Sequence, residues 1–150
     1  MNNTKIKVLY VEDEAITRSF LRDVLQQDSI EVFTAKTVPS AIAAIDESVL
    51  AGCSFDVIVL DWWVQDPDDY EMKTTESVLR HLSENRIMAL TVVYTSDSEV
   101  DESKTLGVPV IRKGNHDFLK RNIERIINEK KNLLLTLKSI RSSINKIKAL

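Results

Sequence analysis

The stretch FDVIVLDWW, Phe55 to Trp63, decides the fold. Val57 to Leu60 form a continuous apolar run, the mark of a strand buried on both faces of a parallel sheet. The run ends on a carboxylate, Asp61, followed by the chain's only two tryptophans, Trp62 and Trp63. An ionised side chain at the end of a buried strand either sits at the open mouth of the sheet or carries a large desolvation cost. The role of Asp61 therefore depends on what else lies at that mouth.

Outward from this strand, short apolar runs alternate with amphipathic ones. IKVLYV (Ile6 to Val11) reads as a first strand and IEVFTA (Ile30 to Ala35) as a weaker second. MALTVVYT (Met88 to Thr95) and VPVI (Val108 to Ile111) read as the fourth and fifth. Between them, EAITRSFLRDVLQQ predicts a helix with Ile16, Phe20, Leu21, Val24 and Leu25 on one face. Thr37 and Pro39 open a helix through Ile42 and Ile45, and TTESVLRHL predicts another behind a capping-type threonine. Strands alternating with about five helices predict an α/β domain: a doubly wound, five-stranded parallel sheet of the flavodoxin-like type. Ligands of such sheets bind at the carboxyl ends of the strands.

Composition narrows the class. The 150 residues suit one domain plus an appendage, and 43% hydrophobic with 29% charged residues is ordinary for a soluble globular protein. The single cysteine, Cys53, cannot form an internal disulfide, which suits a reducing cytoplasm. No stretch reads as a signal peptide, because the apolar run Val8 to Val11 ends in acids. No stretch approaches a membrane span, so no membrane partner is expected. The net charge of -3 hides an asymmetry: residues 1–116 carry 11 Lys and Arg against 20 Asp and Glu, and residues 117–150 carry 9 against 3.

That basic tail has its own pattern. Leu119, Ile123, Ile126, Lys130, Leu133, Leu137, Ile140, Ile144 and Ile147 recur at alternating spacings of four and three, a heptad seam interrupted only by Lys130. A helix of about 32 residues would run about 48 Å at 1.5 Å per residue. The expected domain limits are residues 5–128 and a helical coiled-coil extension over 129–150, pairing as a homodimer. Lys130, Lys131, Lys138, Arg141, Lys146 and Lys148 are clustered, but a solvated coiled-coil face is the commoner meaning of such charges. Direct nucleic-acid binding is not expected.

At the mouth, the first strand delivers Glu12, Asp13 and Glu14 beside Asp61. Two unit charges about 4 Å apart repel by roughly 4 kcal/mol at an effective dielectric of 20. Such a cluster persists when it is solvated, partly protonated or filled by a cation, and hard oxygen ligands suit Mg²⁺. The fourth strand ends VVYTS, placing the hydroxyl of Thr95 there, and the fifth ends VIRKG, placing Lys113 there. A carboxylate beside Mg²⁺, faced by a hydroxyl and an ammonium, is equipped to accept a phosphoryl group.

These four strand ends resemble the receiver domain of two-component response regulators, from about Lys5 to Glu129. VLYVEDE resembles the family's first-strand acidic motif, VIVLD its phosphoacceptor strand, VVYTS its switch-hydroxyl strand and VIRKG its lysine strand. The resemblance implies that Asp61 is phosphorylated by a histidine kinase or a histidine phosphotransfer protein. It implies Mg²⁺ held by Glu12, Asp13, Asp61 and the backbone carbonyl of Trp63, with Asp13 preferred over Glu12 as direct ligand. Thr95 becomes the switch hydroxyl and Lys113 the phosphate-contacting lysine. A receiver is a phosphoacceptor and no enzyme beyond self-catalysed phosphotransfer and autodephosphorylation. Trp62 and Trp63 are expected as wall and lid of the acid pocket, and His81 and His116 as helix-surface and loop residues that lack the partners a metal or catalytic role would require.

The chain departs from the family pattern in places. Glu12 stands where an aspartate is common, Gln65 where a proline is, Tyr70 where a glycine is, and Gly114 where a proline follows the lysine. Val110 takes the place of the switch aromatic. The acidic segment VQDPDDYEMKTT is long, and the segment between Thr95 and Val108 is short, which predicts a fourth helix of only a turn or two. The signal is accordingly expected to run into the C-terminal helix. The rival reading is a pseudo-receiver, a phosphorylation-independent coiled-coil module. A haloacid-dehalogenase-type hydrolase would want a second aspartate where Trp63 stands, and a dinucleotide-binding protein a glycine-rich loop where the acids stand.

Overall fold

The computed structural model describes residues 5–68 and 70–150, which divide into two compact units, one reaching to His116 and one spanning Asp117–Leu150. In chain order the first unit comprises β1 (Ile6–Val11), α1 (Ala15–Leu25), β2 (Ile30–Ala35), α2 (Val38–Leu50), β3 (Val57–Leu60), β4 (Trp63–Gln65), β5 (Met72–Thr74), α3 (Glu76–Glu84), β6 (Leu90–Thr95) and β7 (Val110–Arg112). Five strands form a parallel sheet in the order β2-β1-β3-β6-β7, so the strand order reverses beside β1 and β3. A crevice opens at such a switch point, at the carboxyl ends of these two strands.

The sequence pattern accounts for the core strands. All four residues of β3 are buried, as are five of the six in β1, which explains their unbroken apolar runs. The parallel register sets Val11 beside Leu60 and Leu60 beside Val93. α2 starts as predicted: Ser40 N donates to Thr37 Oγ1 (3.1 Å), Thr37 N donates to Ser40 Oγ (3.1 Å), and Pro39 lies in the first turn.

Several expectations are corrected. In α1 only Leu21 and Leu25 are buried, while Ile16 and Phe20 are exposed. At 3.6 residues per turn Ile16 and Phe20 lie on a neighbouring face, so the predicted stripe is too wide. The long acidic segment is a hairpin: β4 and β5 pair antiparallel, Trp63 opposite Thr74. Its turn is held by Asp66 N to Glu71 O (2.8 Å) and Asp68 N to Asp66 Oδ1 (2.9 Å), with Tyr70 in the left-handed region at φ 58. Asp69 of this segment lies outside the described residues.

No helix forms between β6 and β7 among the described residues. There the side chains of Asp97 and Asp101 take the amides of Glu99 and Ser103, bonds that compete with helix formation. Among the described residues the domain therefore has three helices, and a fourth, α4, begins at its last residue.

α4 runs His116–Lys148, 33 residues, or about 50 Å at 1.5 Å per residue. Its buried residues are Leu119, Ile123 and Ile127, so burial follows an i, i+4 stripe to Ile127 rather than the heptad step to Ile126. From Leu133 onward its leucines and isoleucines are exposed. No described helix is long and apolar enough to cross a membrane.

Thr75 ties the hairpin and α3 to the end of β3. It is buried, its amide donates to Trp62 O (2.9 Å), and its hydroxyl donates to Asp61 O (2.8 Å). Thr75→Val keeps the shape but leaves the Asp61 carbonyl short of a donor, and is expected to cost about 1–2 kcal/mol. Urea unfolding of this variant beside Thr75→Ser checks it: Ser should retain most of the stability, and equal midpoints for all three proteins would refute the role.

Candidate functional site

Chain order and register bring the site together. Asp61 N donates to Val11 O (3.0 Å), which sets Asp61 level with Glu12 one strand away. Both are buried, at 7% and 1% exposure. Lys113 N donates to Thr95 O (2.9 Å), aligning the end of β7 with that of β6. From there the Lys113 ammonium reaches across the sheet and donates to both Glu12 Oε2 (2.7 Å) and Asp61 Oδ2 (2.9 Å).

Each acid has further partners. Tyr10, two residues before Glu12 and so on the same face of β1, donates its hydroxyl to Glu12 Oε2 (2.9 Å). Glu14 N donates to Glu12 Oε1 (3.2 Å), and Arg18 donates to the carbonyls of Glu12 (2.9 Å) and Asp13 (3.2 Å). Asp13 Oδ2 accepts from Gln65 N (3.0 Å), so the hairpin is pinned to the acid pocket.

The charges are coupled. Burial, reinforced by the negative charge of Glu12 and opposed by Lys113, pushes the Asp61 carboxyl up to about 7. Burial works against the Lys113 charge, yet its bonds to Glu12 and Asp61 prevail and hold it above the ordinary lysine value. Burial and the Glu12 carboxylate also raise the Tyr10 phenol, so it remains a donor.

Glu12, Asp13 and Asp61 each offer a carboxylate oxygen, all within 4.8 Å of one another. That set of hard oxygens, open to solvent on the Asp13 side, fits a magnesium-type cation. Glu12 is the most heavily engaged of the three, since one of its oxygens already accepts from both Tyr10 and Lys113.

No family model and no curated protein matches the sequence. Solved structures do match. The signal receiver domain of a Vibrio parahaemolyticus protein described as a Luxo repressor superposes with a TM-score of 0.70 at 23% identity, over 88% of this chain and 97% of that one. The chain has the receiver-domain fold. The response regulator TrrA of Thermotoga maritima shares this receiver fold in two structures, each covering 80% of this chain and 97% of that one. One is in complex with Mg²⁺-BeF (TM-score 0.61, 20% identity), the other with the histidine kinase ThkA (TM-score 0.62, 22% identity). A fusion carrying a yeast Spc42 trimeric coiled coil matches over 97% of this chain and 90% of that one (TM-score 0.67, 17% identity).

Within this receiver fold the predicted residues separate into two groups. Glu12, Asp13, Asp61 and Lys113 form one hydrogen-bonded or closely spaced cluster. Thr95 is buried at the end of β6, but its hydroxyl accepts from Asp97 N (3.2 Å). Trp63 opens β4 and its indole donates to Asp97 Oδ2 (2.9 Å), a bond that lowers the Asp97 pKa. Trp62 is no pocket wall: it is buried in the hydrophobic core with Leu60, Val64 and Leu79. His81 lies on α3 with its Nε2 2.7 Å from Asp46 Oδ1, away from the acid cluster.

The departures have local reasons. Gln65 donates an amide to Asp13 that a proline would lack. Gly114 holds φ 93, which proline cannot adopt, and its amide donates to Tyr94 Oη (3.1 Å). Arg112, unremarked in the sequence, donates to the carbonyls of Asp97, Ser98 and Val100 and so gathers the segment after Thr95.

The Asp61 pKa makes a stability prediction. An acid at about 7 when folded and 3.8 when unfolded binds its proton more tightly in the folded state. Its charge therefore costs stability increasingly as pH climbs from 3.8 to about 7, and by a constant amount above. In chelator, Asp61→Asn should gain on wild type across that window, reaching about 1–3 kcal/mol, below the roughly 4 kcal/mol that the full displacement would set. Denaturant unfolding at several pH values checks this, and a difference that stays flat with pH would contradict it.

Proposed function

We propose that the chain is a phosphorylation-controlled signalling module of a two-component system, with Asp61 as phosphoacceptor. The observation that carries this reading is the Asp61 carboxylate at the mouth of β3, bonded to Lys113 and adjoining Glu12 and Asp13. A phosphohistidine of a sensor histidine kinase or histidine phosphotransfer protein is the donor. An Asp61 oxygen forms the new P–O bond, the P–N bond breaks, and the imidazole leaves with the electron pair and takes up a proton. Lys113 transfers its bond from the carboxylate to the incoming phosphoryl oxygens. The Thr95 hydroxyl turns to donate to one of them and releases Asp97 N. Mg²⁺, held by Glu12, Asp13, Asp61 and the Trp63 carbonyl, would supply neutralising charge for the transferred group.

Residues 5–128 act as the receiver and 129–150 as a coiled-coil extension. Phosphorylation is read out through α4 as a change in homodimerisation, because no helix stands between β6 and β7 and Val110 replaces the switch aromatic. TrrA, which is bound to a histidine kinase in one structure, supports the kinase partner by analogy, and the fusion carrying a trimeric coiled coil supports self-association through a helix without giving the number of strands. The module is a phosphoacceptor rather than an enzyme, and a cytoplasmic site suits its single, exposed cysteine. The pseudo-receiver reading draws on one observation, that Lys113 already satisfies both carboxylates without a phosphate.

Intact-mass spectrometry after incubation with acetyl phosphate separates the two. A single phosphoryl adduct on wild type that requires Mg²⁺, is absent from Asp61→Asn and falls at least about tenfold in Lys113→Met is the expected result. A folded wild type with no adduct would leave the pseudo-receiver standing.

A further inference from the structure

The second half of α4 presents an apolar face to water. Leu133, Leu137, Ile140, Ile144 and Ile147 are each 46–68% exposed and keep the four-three spacing. In heptad terms Lys130, Leu137 and Ile144 take one seam position, a, and Leu133, Ile140 and Ile147 the other, d. The flanking e row is Leu134, Arg141 and Lys148, and the flanking g row is Glu129, Thr136 and Ser143. Lys131, Lys138 and Lys146 fall outside both flanks, on the face turned away from the seam.

We propose that a second copy of this chain covers the face as a parallel, in-register coiled coil over residues 129–147, and that Lys130, lying against the partner's Glu129, fixes both the register and the number of strands. The inference deepens the dimer reading above and rests on it. A seam of this kind is self-complementary, so a two-fold arrangement lays the same residues on each other. Parallel pairing sets e against g of the partner: Arg141 meets Thr136 and Lys148 meets Ser143, so the flanks oppose no like charges, and the one like-charged layer is that of the two Lys130. It also places each Lys130 beside the partner's Glu129, the last acid in the sequence.

Antiparallel pairing over the same stretch, with Lys130 opposite Ile147, would bury the ammonium twice against isoleucine and away from that acid. Strand number follows from the same residue. Leucine at a with isoleucine at d, as in Leu137 and Ile140, and isoleucine at both, as in Ile144 and Ile147, favour three or four strands. A lysine at a opposes this, because only a two-stranded coil leaves its stem a way out to water. The apolar layers and Lys130 thus pull in opposite directions, and Lys130 decides.

Light scattering and oxidative cross-linking of the full chain in a Cys53→Ser background test this. Wild type should be a dimer, Ile147→Cys should cross-link to itself in most molecules, and Lys130→Ile should shift the mass to about three or four chains. A monomeric wild type would overturn this inference and the dimer reading together. A dimer in which Ile147→Cys fails to cross-link would overturn the parallel register alone. A dimer unchanged by Lys130→Ile, or a wild type already of higher order, would overturn the role of Lys130.

Discussion

One ammonium stands between two carboxylates that the sheet forces together. Parallel register places Glu12 and Asp61 at adjacent strand ends, both buried, and among the described residues only Lys113 supplies an opposite charge within hydrogen-bond distance of the two. Buried charges persist when paired and hydrogen-bonded, and breaking such a group typically costs several kcal/mol. The remaining contacts follow from this constraint. Tyr10 and the Glu14 amide satisfy Glu12, Arg18 holds the carbonyls beneath the acid loop, and the Lys113 backbone is anchored on Thr95.

The same arrangement leaves the site responsive. Burial first, and the negative charge of Glu12 second, displace the Asp61 carboxyl upward against the pull of Lys113. Any group that brings positive charge to Asp13 relaxes it, whereas loss of the Lys113 bonds would displace it further. Two bonds stand where such a change would be felt: Gln65 N to Asp13, and Asp97 N to the Thr95 hydroxyl. The Trp63 indole joins their neighbourhoods by holding Asp97 from the hairpin. The hairpin and the segment gathered by Arg112 thus occupy the places where a receiver ordinarily carries a shorter loop and a full helix.

The sheet was legible because β1 and β3 are buried on both faces and write their burial as unbroken apolar runs. The acid, hydroxyl and lysine at four strand ends were legible because chain order alone brings strand ends to one mouth. Tyr10 could have been found by the two-residue period of a strand, since it shares a face with Glu12. The hairpin could not be read so easily: each of its strands has three residues, and only Val64 among the six is buried. The missing helix after β6 was hidden by aspartates whose side chains bind nearby amides, an effect that composition does not reveal. In α4 the heptad pattern pointed to Ile126, while burial of Leu119, Ile123 and Ile127 follows a four-residue step. A helix of 3.6 residues per turn drifts off a 3.5-residue seam, and one sequence can present both stripes.

The account's central claim is that Asp61, Lys113 and the acid pocket form a working phosphoryl site. Fluorine NMR of the protein with beryllofluoride, a phosphoryl mimic, tests that claim without a donor or a partner. The account predicts bound fluorine resonances that need Mg²⁺, persist in Tyr70→Gly and vanish in Asp61→Asn. Wild-type protein that is folded yet shows only free beryllofluoride at saturating Mg²⁺ would contradict it.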